Sequence, residues 1–167
     1  VYGCGGTIVQ EGISFGGHDI DLGICRHILD RYSMMIGLTQ AEKLKSEVLS
    51  LVGHDDDRTF TVRGRRITDG VEVVVELSVD EMTGVMQHIM QPVLHLIRQA
   101  FRRCTPEMAD DFLKSGLLLS GGSALLDGLH DWLSVELGIP VSTPADPGSV
   151  VAKGCYAACL MEKEHSL

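Results

Sequence analysis

The chain of 167 residues carries 14 basic and 23 acidic side chains, which gives a net charge of -9 at neutral pH. This acidic balance and an aromatic content of 5% argue against nucleic-acid binding. A hydrophobic content of 44% supports a packed core, and the length suits one domain with a small insertion. No apolar run approaches the ~20 residues that a membrane-spanning helix needs. Because the sequence opens on Val1 rather than methionine, we expect a longer parent protein.

The first part of the chain predicts a hairpin and a helix. Gly5 and Gly6 are typical of a hairpin turn between two short strands. A second glycine pair, Gly16 and Gly17, ends this region. Isoleucines then recur at four-residue spacing and predict a helix to about residue 34 with one buried face; they are Ile20, Ile24 and Ile28.

A second, shorter helix is predicted from the capping-box pattern Thr39-Gln-Ala-Glu42, and we expect it to continue to about residue 51. Glu42 and Lys45 lie three residues apart in this helix, so their side chains point the same way. Two interpretations fit this pair. It is either a helix cap and an ordinary surface lysine, or a pair that holds a polar ligand against the helix.

A hairpin is predicted between this helix and the next long one. Strands over 60–67 and 71–77 flank Asp69-Gly70, which is a strong signal for a tight turn. Just before the hairpin, Asp55-Asp56-Asp57 is typical of a solvated loop rather than of a cation site. A short helix and a hairpin between two long helices predict a small inserted lobe.

The long helix that follows is predicted to begin at another capping box, Ser78-Val-Asp-Glu81, and to kink at Pro92. Its methionines recur at helical spacing and are typical of core filler rather than of a binding groove; they are Met82, Met86 and Met90. Thr105-Pro106 predicts the start of another short helix, because proline is favoured at the first helical position.

The most informative stretch is a buried-strand pattern that runs into a glycine-rich turn. Leu117-Leu-Leu119 predicts a fully buried strand, Ser120-Gly-Gly-Ser123 a sharp turn, and residues 124–137 one continuous helix. Such a turn exposes backbone N–H groups at the positive end of the helix, and its glycines let the backbone lie flat against a ligand. This geometry suits a phosphate or a nucleoside. The alternative is a tight turn without a ligand.

The end of the chain predicts a glycine cap at Gly138, a short strand over 139–141 and a last helix over about 149–161. Pro140 requires that this strand lie at an edge or that the proline lie at its start. Small residues in the last helix predict a close-packed face; they include Gly154, Ala157 and Ala158.

The order of elements predicts an α/β fold with a main lobe over residues 1–36 and 78–167 and an inserted α+β lobe over 37–77. The five cysteines contain no C-x-x-C pair. We therefore expect no metal site and a reducing compartment.

Several segments in this order resemble the second half of the actin-like ATPases, and most closely the MreB-like, rod shape-determining family. The segments are Gly16-Gly17-His18-Asp19-Ile20-Asp21, Glu42-Lys-Leu-Lys45, Val62-Arg63-Gly64-Arg65, Thr105-Pro-Glu-Met108, Ser120-Gly-Gly-Ser-Ala-Leu-Leu126, Ala145-Asp-Pro147 and Val151-Ala-Lys-Gly154. Their shared order, which covers nearly the whole chain, carries the resemblance. Ser123 departs from the glycine of that family and is similar to the Gly-Gly-Ser of Hsp70 relatives. The resemblance implies a ribonuclease H-like domain with a small inserted lobe.

The resemblance also implies that ATP, the cofactor of the family, lies in a cleft whose adenosine side this chain supplies. Seven residues would line that side: Gly121, Gly122 and Ser123 in the turn, Glu42 and Lys45 against the adenine and ribose, and Gly16 and Gly17 on the floor. The phosphate loops, the magnesium carboxylate and the residue that positions water are expected before Val1. We therefore expect no catalytic residue and no metal ligand in this chain, with Mg²⁺ held by the other half.

As a function, the resemblance implies a bacterial cytoskeletal protein that polymerises with ATP and determines cell shape. It implies self-association into filaments and contact with membrane-associated cell-wall synthesis proteins, in the cytoplasm beside the inner membrane. Two alternatives stay open: an actin-fold adaptor without enzymatic activity, and part of an Hsp70-like chaperone ATPase. Intact phosphate loops upstream would favour an ATPase over an adaptor.

Overall fold

The computed structural model describes residues 1–3, 6–53 and 58–164. The predicted turn position Gly5 and the charged turn over 55–57 lie outside these residues. In chain order the described elements are β1 (Tyr2–Gly3), β2 (Gly6–Thr7), α1 (Gly17–Tyr32), β3 (Met34–Met35), α2 (Leu38–Glu47), β4 (Thr59–Arg66), β5 (Glu72–Ser78), α3 (Val79–Ile89), α4 (Gln91–Arg102), α5 (Pro106–Ser115), β6 (Leu117–Leu118), a 3₁₀ turn (Gly122–Leu125), α6 (Leu129–Leu137), β7 (Val141–Ser142) and α7 (Val150–Glu164). This mixture of helices and strands is the predicted α/β class.

Three small sheets hold the strands of the described residues. β1 pairs with β2 in an antiparallel arrangement, which confirms a hairpin near the start, although Gly6 lies in β2, paired with Gly3, and not in the turn. β3, β4 and β5 form an antiparallel sheet in that order, and β6 pairs with β7 in parallel. Asp69-Gly70 joins β4 to β5 as predicted, with Gly70 at a φ of 69° that favours glycine. The division into lobes at residues 37 and 77 stays a prediction, and β3 lies just ahead of the first boundary.

The hydrophobic core forms where α1 packs against α3. The isoleucine face of α1 and the methionine stripe are buried in one cluster, as both spacings predict: Ile20, Ile24 and Ile28 with Met82, Met86 and Met90. The predicted long helix is divided in two, because α3 ends at Ile89 and α4 begins at Gln91. Pro92 therefore lies in the first turn of α4, where its missing N–H costs no helical hydrogen bond.

The two capping boxes are not formed by their side chains. α2 begins at Leu38, so Thr39 lies inside the first turn, and the Gly37 carbonyl accepts the N–H groups of Gln40 and Ala41. α3 begins directly after Ser78 as predicted, but the Ser78 side chain makes no capping hydrogen bond. Water can satisfy the first N–H groups of a helix in place of a side-chain cap. The two patterns therefore mark the helix starts to within about two residues and do not fix the caps. α2 also ends at Glu47, short of the predicted residue 51.

The strand and helix around the glycine-rich turn differ from their predictions. β6 has two residues and pairs with the two-residue β7, and Leu118 is 62% exposed rather than fully buried. The predicted continuous helix over 124–137 is wrong, since a 3₁₀ turn precedes α6 and Leu125 is 70% exposed. Gly128, at a φ of 70°, causes the break. An added Cβ there would lie 2.8 Å from the backbone nitrogen of Val52, so close contact with another segment decides this conformation.

Over residues 151–160, the last helix, α7, presents no packed face to the described residues. Residues 151–160 are all exposed, with Val151 at 63% and Tyr156 at 68%. The predicted close-packed face is therefore wrong for this chain, because small residues give a close contact only when a second surface lies against them. Among the described helices, none combines the length and the apolarity needed to cross a bilayer.

Candidate functional site

The glycine-rich turn leaves its backbone open to an approaching group. Gly121 has a φ of 88° and a ψ of 172°, a conformation almost restricted to glycine. Its N–H donates to the Pro147 carbonyl at 2.8 Å, so this N–H is not free for a ligand as the sequence had suggested. A Cβ added at Gly121 or Gly122 would meet no atom within 4 Å. The space above both glycines is therefore empty, and a flat ligand can reach the main chain there.

A cavity of about 190 Å³ lies beside this turn. Its walls come from the start of α1, from α4, from the turn and from α6: Phe15, Gly16, Ile20, Met90, Val93, Ile97, Leu119, Ser120, Ser123, Ala124, Leu129 and Leu133. Gly16 and Ser123, two of the predicted site residues, thus share one cavity. Apolar walls with a few hydroxyl groups are typical of sites that hold a ring system by its faces and its polar edge.

Lys45 reaches from α2 to the first turns of α1. Its Nζ donates to the Gly17 carbonyl at 3.1 Å and lies 2.8 Å from Oδ1 of Asp21. A Cβ at Gly17 would lie 3.3 Å from this Nζ, so the glycine leaves room for the ammonium group. Sequence reasoning placed Asp21 in the helix start and missed its contact with Lys45. The signal that could have found it is that Gly17 and Asp21, four residues apart, share one face of a helix.

Glu42 lies apart from both groups. The residue is exposed, and its carbonyl accepts the hydroxyl of Ser46. Within the described part of the chain, no hydrogen bond or ion pair joins the Glu42 carboxylate to the turn. The segment after α2 instead contacts the chain just before α6, where Leu51 N–H donates to the Asp127 carbonyl at 3.0 Å. The structure therefore brings Lys45 to Gly17 but leaves Glu42 at the surface.

Cys25 lies one helical turn after Asp21, and its thiol faces the Ile36 carbonyl with Sγ 3.8 Å from the oxygen. Burial raises the pKa of the Cys25 thiol above its ordinary value, and the Asp21 carboxylate raises it further. Because the thiolate is the nucleophile, we expect iodoacetamide near neutral pH to alkylate Cys25 at least several-fold more slowly than the exposed Cys155 and Cys159.

Peptide mass spectrometry after timed alkylation measures this order. The contrast should shrink as pH rises towards the raised pKa of Cys25, since its thiolate then forms too. Denatured protein is the control, because unfolding removes both the burial and the nearby carboxylate. Equal rates for Cys25 and the α7 cysteines in native protein would contradict the expectation.

The comparisons with known proteins decide the family. The family model described as MreB/Mbl protein matches residues 1–166. The chain belongs to the MreB/Mbl family. This MreB/Mbl chain is 32% identical over 160 residues to the cell shape-determining protein MreB of Escherichia coli K12. The aligned residues are 96% of this chain and 46% of the Escherichia coli protein. It is 27% identical over 154 residues to the cell shape-determining protein Mbl of Bacillus subtilis 168, and this alignment covers 92% of the chain and 46% of Mbl.

Solved structures show the same fold. The structure of MreB5 of Spiroplasma citri bound to AMPPNP matches with a TM-score of 0.87 at 24% identity, over 98% of this chain and 50% of that one. The MamK double helical filament matches with a TM-score of 0.61 at 19% identity, over 81% of this chain and 42% of the MamK chain. The MreB/Mbl chain thus has the predicted actin-like fold, and it spans about half the length of the relatives it matches.

Proposed function

We propose that this chain is the second half of a bacterial actin-like cytoskeletal protein that binds ATP, polymerises and determines cell shape. The family match over residues 1–166 and the relatives named as cell shape-determining proteins support this function. The observation that carries the ligand site is the cavity that Gly16 and Ser123 share beside an open glycine backbone. A related fold has been solved with AMPPNP and with ADP, which supports a nucleotide as the ligand.

In this proposal the adenosine lies against the turn. Gly121, Gly122 and Ser123 contact it from one side, and Gly16 and Gly17 form the floor. The inserted lobe over 37–77 covers it from across the cleft, with Glu42 and Lys45 on α2. The other half of the protein supplies Mg²⁺ and the phosphate-binding loops, and no residue of this chain is assigned a role in hydrolysis.

The proposed partners are further copies of the same protein, in filaments, and membrane-associated cell-wall synthesis proteins. The solved MamK double helical filament, which shares the fold, supports self-association. We place the complete protein in the cytoplasm, at the periphery of the inner membrane. The contact with the wall-synthesis proteins rests on the family's role in cell shape.

Nucleotide-dependent sedimentation of the complete protein tests the function. We expect the protein to bind ATP in the presence of Mg²⁺ and to move into the pellet with ATP, with filaments visible by electron microscopy. Protein without nucleotide is the control. Absence of both ATP binding and filaments would overturn the proposal and favour the adaptor function.

A further inference from the structure

The chain segment over 143–149, which joins β7 to α7, borders the glycine-rich turn. Just before this segment, the Ser142 carbonyl accepts the Leu119 N–H at 2.8 Å. Within it, the Pro147 carbonyl accepts the Gly121 N–H, also at 2.8 Å. These two hydrogen bonds hold both ends of the short stretch that leads from β6 into the turn. The segment therefore fixes the backbone where the turn begins.

The turn depends on this outside contact because its own residues do not select one conformation. Gly121 has a φ of 88°, and a glycine backbone can adopt many others. The hydrogen bond to Pro147, a buried residue, restricts it to this one. Gly121 lies between Ser120 and Ser123, which both line the cavity. The position of the Pro147 carbonyl thus sets the shape of one cavity wall.

Asp146 ties this segment to the start of α7. Its Oδ2 accepts the Ser149 hydroxyl and the Lys153 ammonium, the latter at 2.9 Å. Its carbonyl accepts the Ser149 N–H at 3.4 Å. The hydrogen bonds from Ser149 and Lys153 lower the pKa of the Asp146 carboxyl below its ordinary value, so these donors favour the charged form. The residue next to Pro147 is therefore anchored to the first turn of α7.

The contacts of Asp146 lie at the surface, which limits their effect on overall stability. The side chains of Asp146 and Lys153 are 60% and 68% exposed. Exposed ion pairs contribute little to the free energy of unfolding. They can still hold a local segment, because segments open separately from global unfolding. We therefore expect Asp146 to control the local position of Pro147 rather than the stability of the whole fold.

We propose that Asp146 is a positioning residue for the glycine-rich turn, which it holds through the Pro147 carbonyl in the conformation that receives the nucleoside. This inference rests on the proposed nucleotide function and adds a residue outside the cavity to it. Asp146 acts through Pro147 and Gly121 and does not itself touch the ligand. Loss of its side chain should loosen the turn and weaken nucleoside binding without unfolding the protein.

Asp146→Ala in the complete protein tests this by two measurements. Hydrogen exchange of the nucleotide-free protein, followed by mass spectrometry, should be at least about threefold faster in peptides that contain Gly121 and unchanged in the buried core of α1. The affinities for adenosine and for Mg-ATP, measured by titration calorimetry, should both fall about fivefold, because both ligands share the adenosine. Glu136→Ala is the matched control, since it breaks another exposed ion pair, with Arg98 at 3.0 Å, and should change neither measurement.

Two milder variants separate the contacts. Asp146→Asn keeps an oxygen that can accept the Ser149 hydroxyl, and Lys153→Met keeps the Asp146 carboxylate. Each should lose less affinity than Asp146→Ala. Losses as large as that of Asp146→Ala in both variants would contradict the proposed anchoring.

The pattern of exchange distinguishes positioning from a general role in folding. Faster exchange throughout Asp146→Ala would mean a general structural role and would overturn the inference. Unchanged exchange at Gly121, or unchanged affinities in a protein that binds both ligands, would overturn the inference alone. If the unaltered protein binds neither adenosine nor ATP, the proposed function fails and the inference fails with it.

Discussion

Gly122→Val in the complete protein is expected to weaken ATP binding by about a hundredfold or more, which corresponds to about 2.8 kcal/mol of binding free energy. The fold should tolerate the change, because a Cβ at this position meets no atom within 4 Å and the backbone does not have a positive φ. The branched side chain would instead fill the open space above the turn, where the proposal places the nucleoside.

Titration with a fluorescent ATP analogue measures the effect, and thermal unfolding checks that the variant is folded. Gly12→Val is the matched control, because Gly12 is exposed and an added Cβ there also meets nothing within 4 Å. Unchanged affinity in a folded Gly122→Val protein would refute the adenosine role. The turn would then be a tight turn without a ligand.

Gly116→Ala is expected to destabilise the protein by about 3–5 kcal/mol, since it combines backbone strain with overpacking. Gly116 ends α5 with a φ of 71° and a ψ of -161°, a region that only glycine occupies without strain. The added Cβ would lie 2.2 Å from the Pro140 carbonyl oxygen. That oxygen accepts the Leu117 N–H at 2.8 Å, so relief of the clash would pull β6 away from β7.

Urea unfolding of the variant and the parent chain gives the change in the free energy of unfolding. Gly138→Ala separates the two causes, because Gly138 also has a positive φ, of 67°, but an added Cβ meets nothing within 4 Å. We expect this control to cost about 1–2 kcal/mol, the strain alone. If the two variants lose the same stability, the contact with Pro140 contributes nothing and the prediction is wrong.

Local sequence patterns predicted the buried face correctly where the spacing of apolar residues matches the side chains that are buried. The isoleucines in α1 and the methionines in and directly after α3 recur every four residues, and both sets are buried in one cluster. Asp69-Gly70 fixed a turn by its own backbone preference, without help from other segments. These features depend on residues close together in the chain, so they can be read from a single sequence.

The site was predicted in part. Sequence reasoning singled out the glycine turn and Lys45, and the structure brings Lys45 to Gly17 and Gly16 to Ser123. It missed Asp21 as the partner of Lys45, because this contact joins two helices and no local pattern encodes it. The nucleotide contacts themselves stay predictions.

The amino-acid sequence by itself determined the family, the α/β class and the buried faces of α1 and α3, but it did not predict β3 or the division of the long helix into α3 and α4. Tertiary contacts alone decided where helices begin and break, and which apolar residues are covered. Gly128 interrupts the predicted helix because Ser50 and Val52 lie against it. Leu118, Leu125 and residues 151–160 of α7 stay exposed because no described surface packs on them. Hydrophobicity favours the burial of a side chain, but burial also needs a second surface that packs against it. Where that surface lies depends on the folded chain.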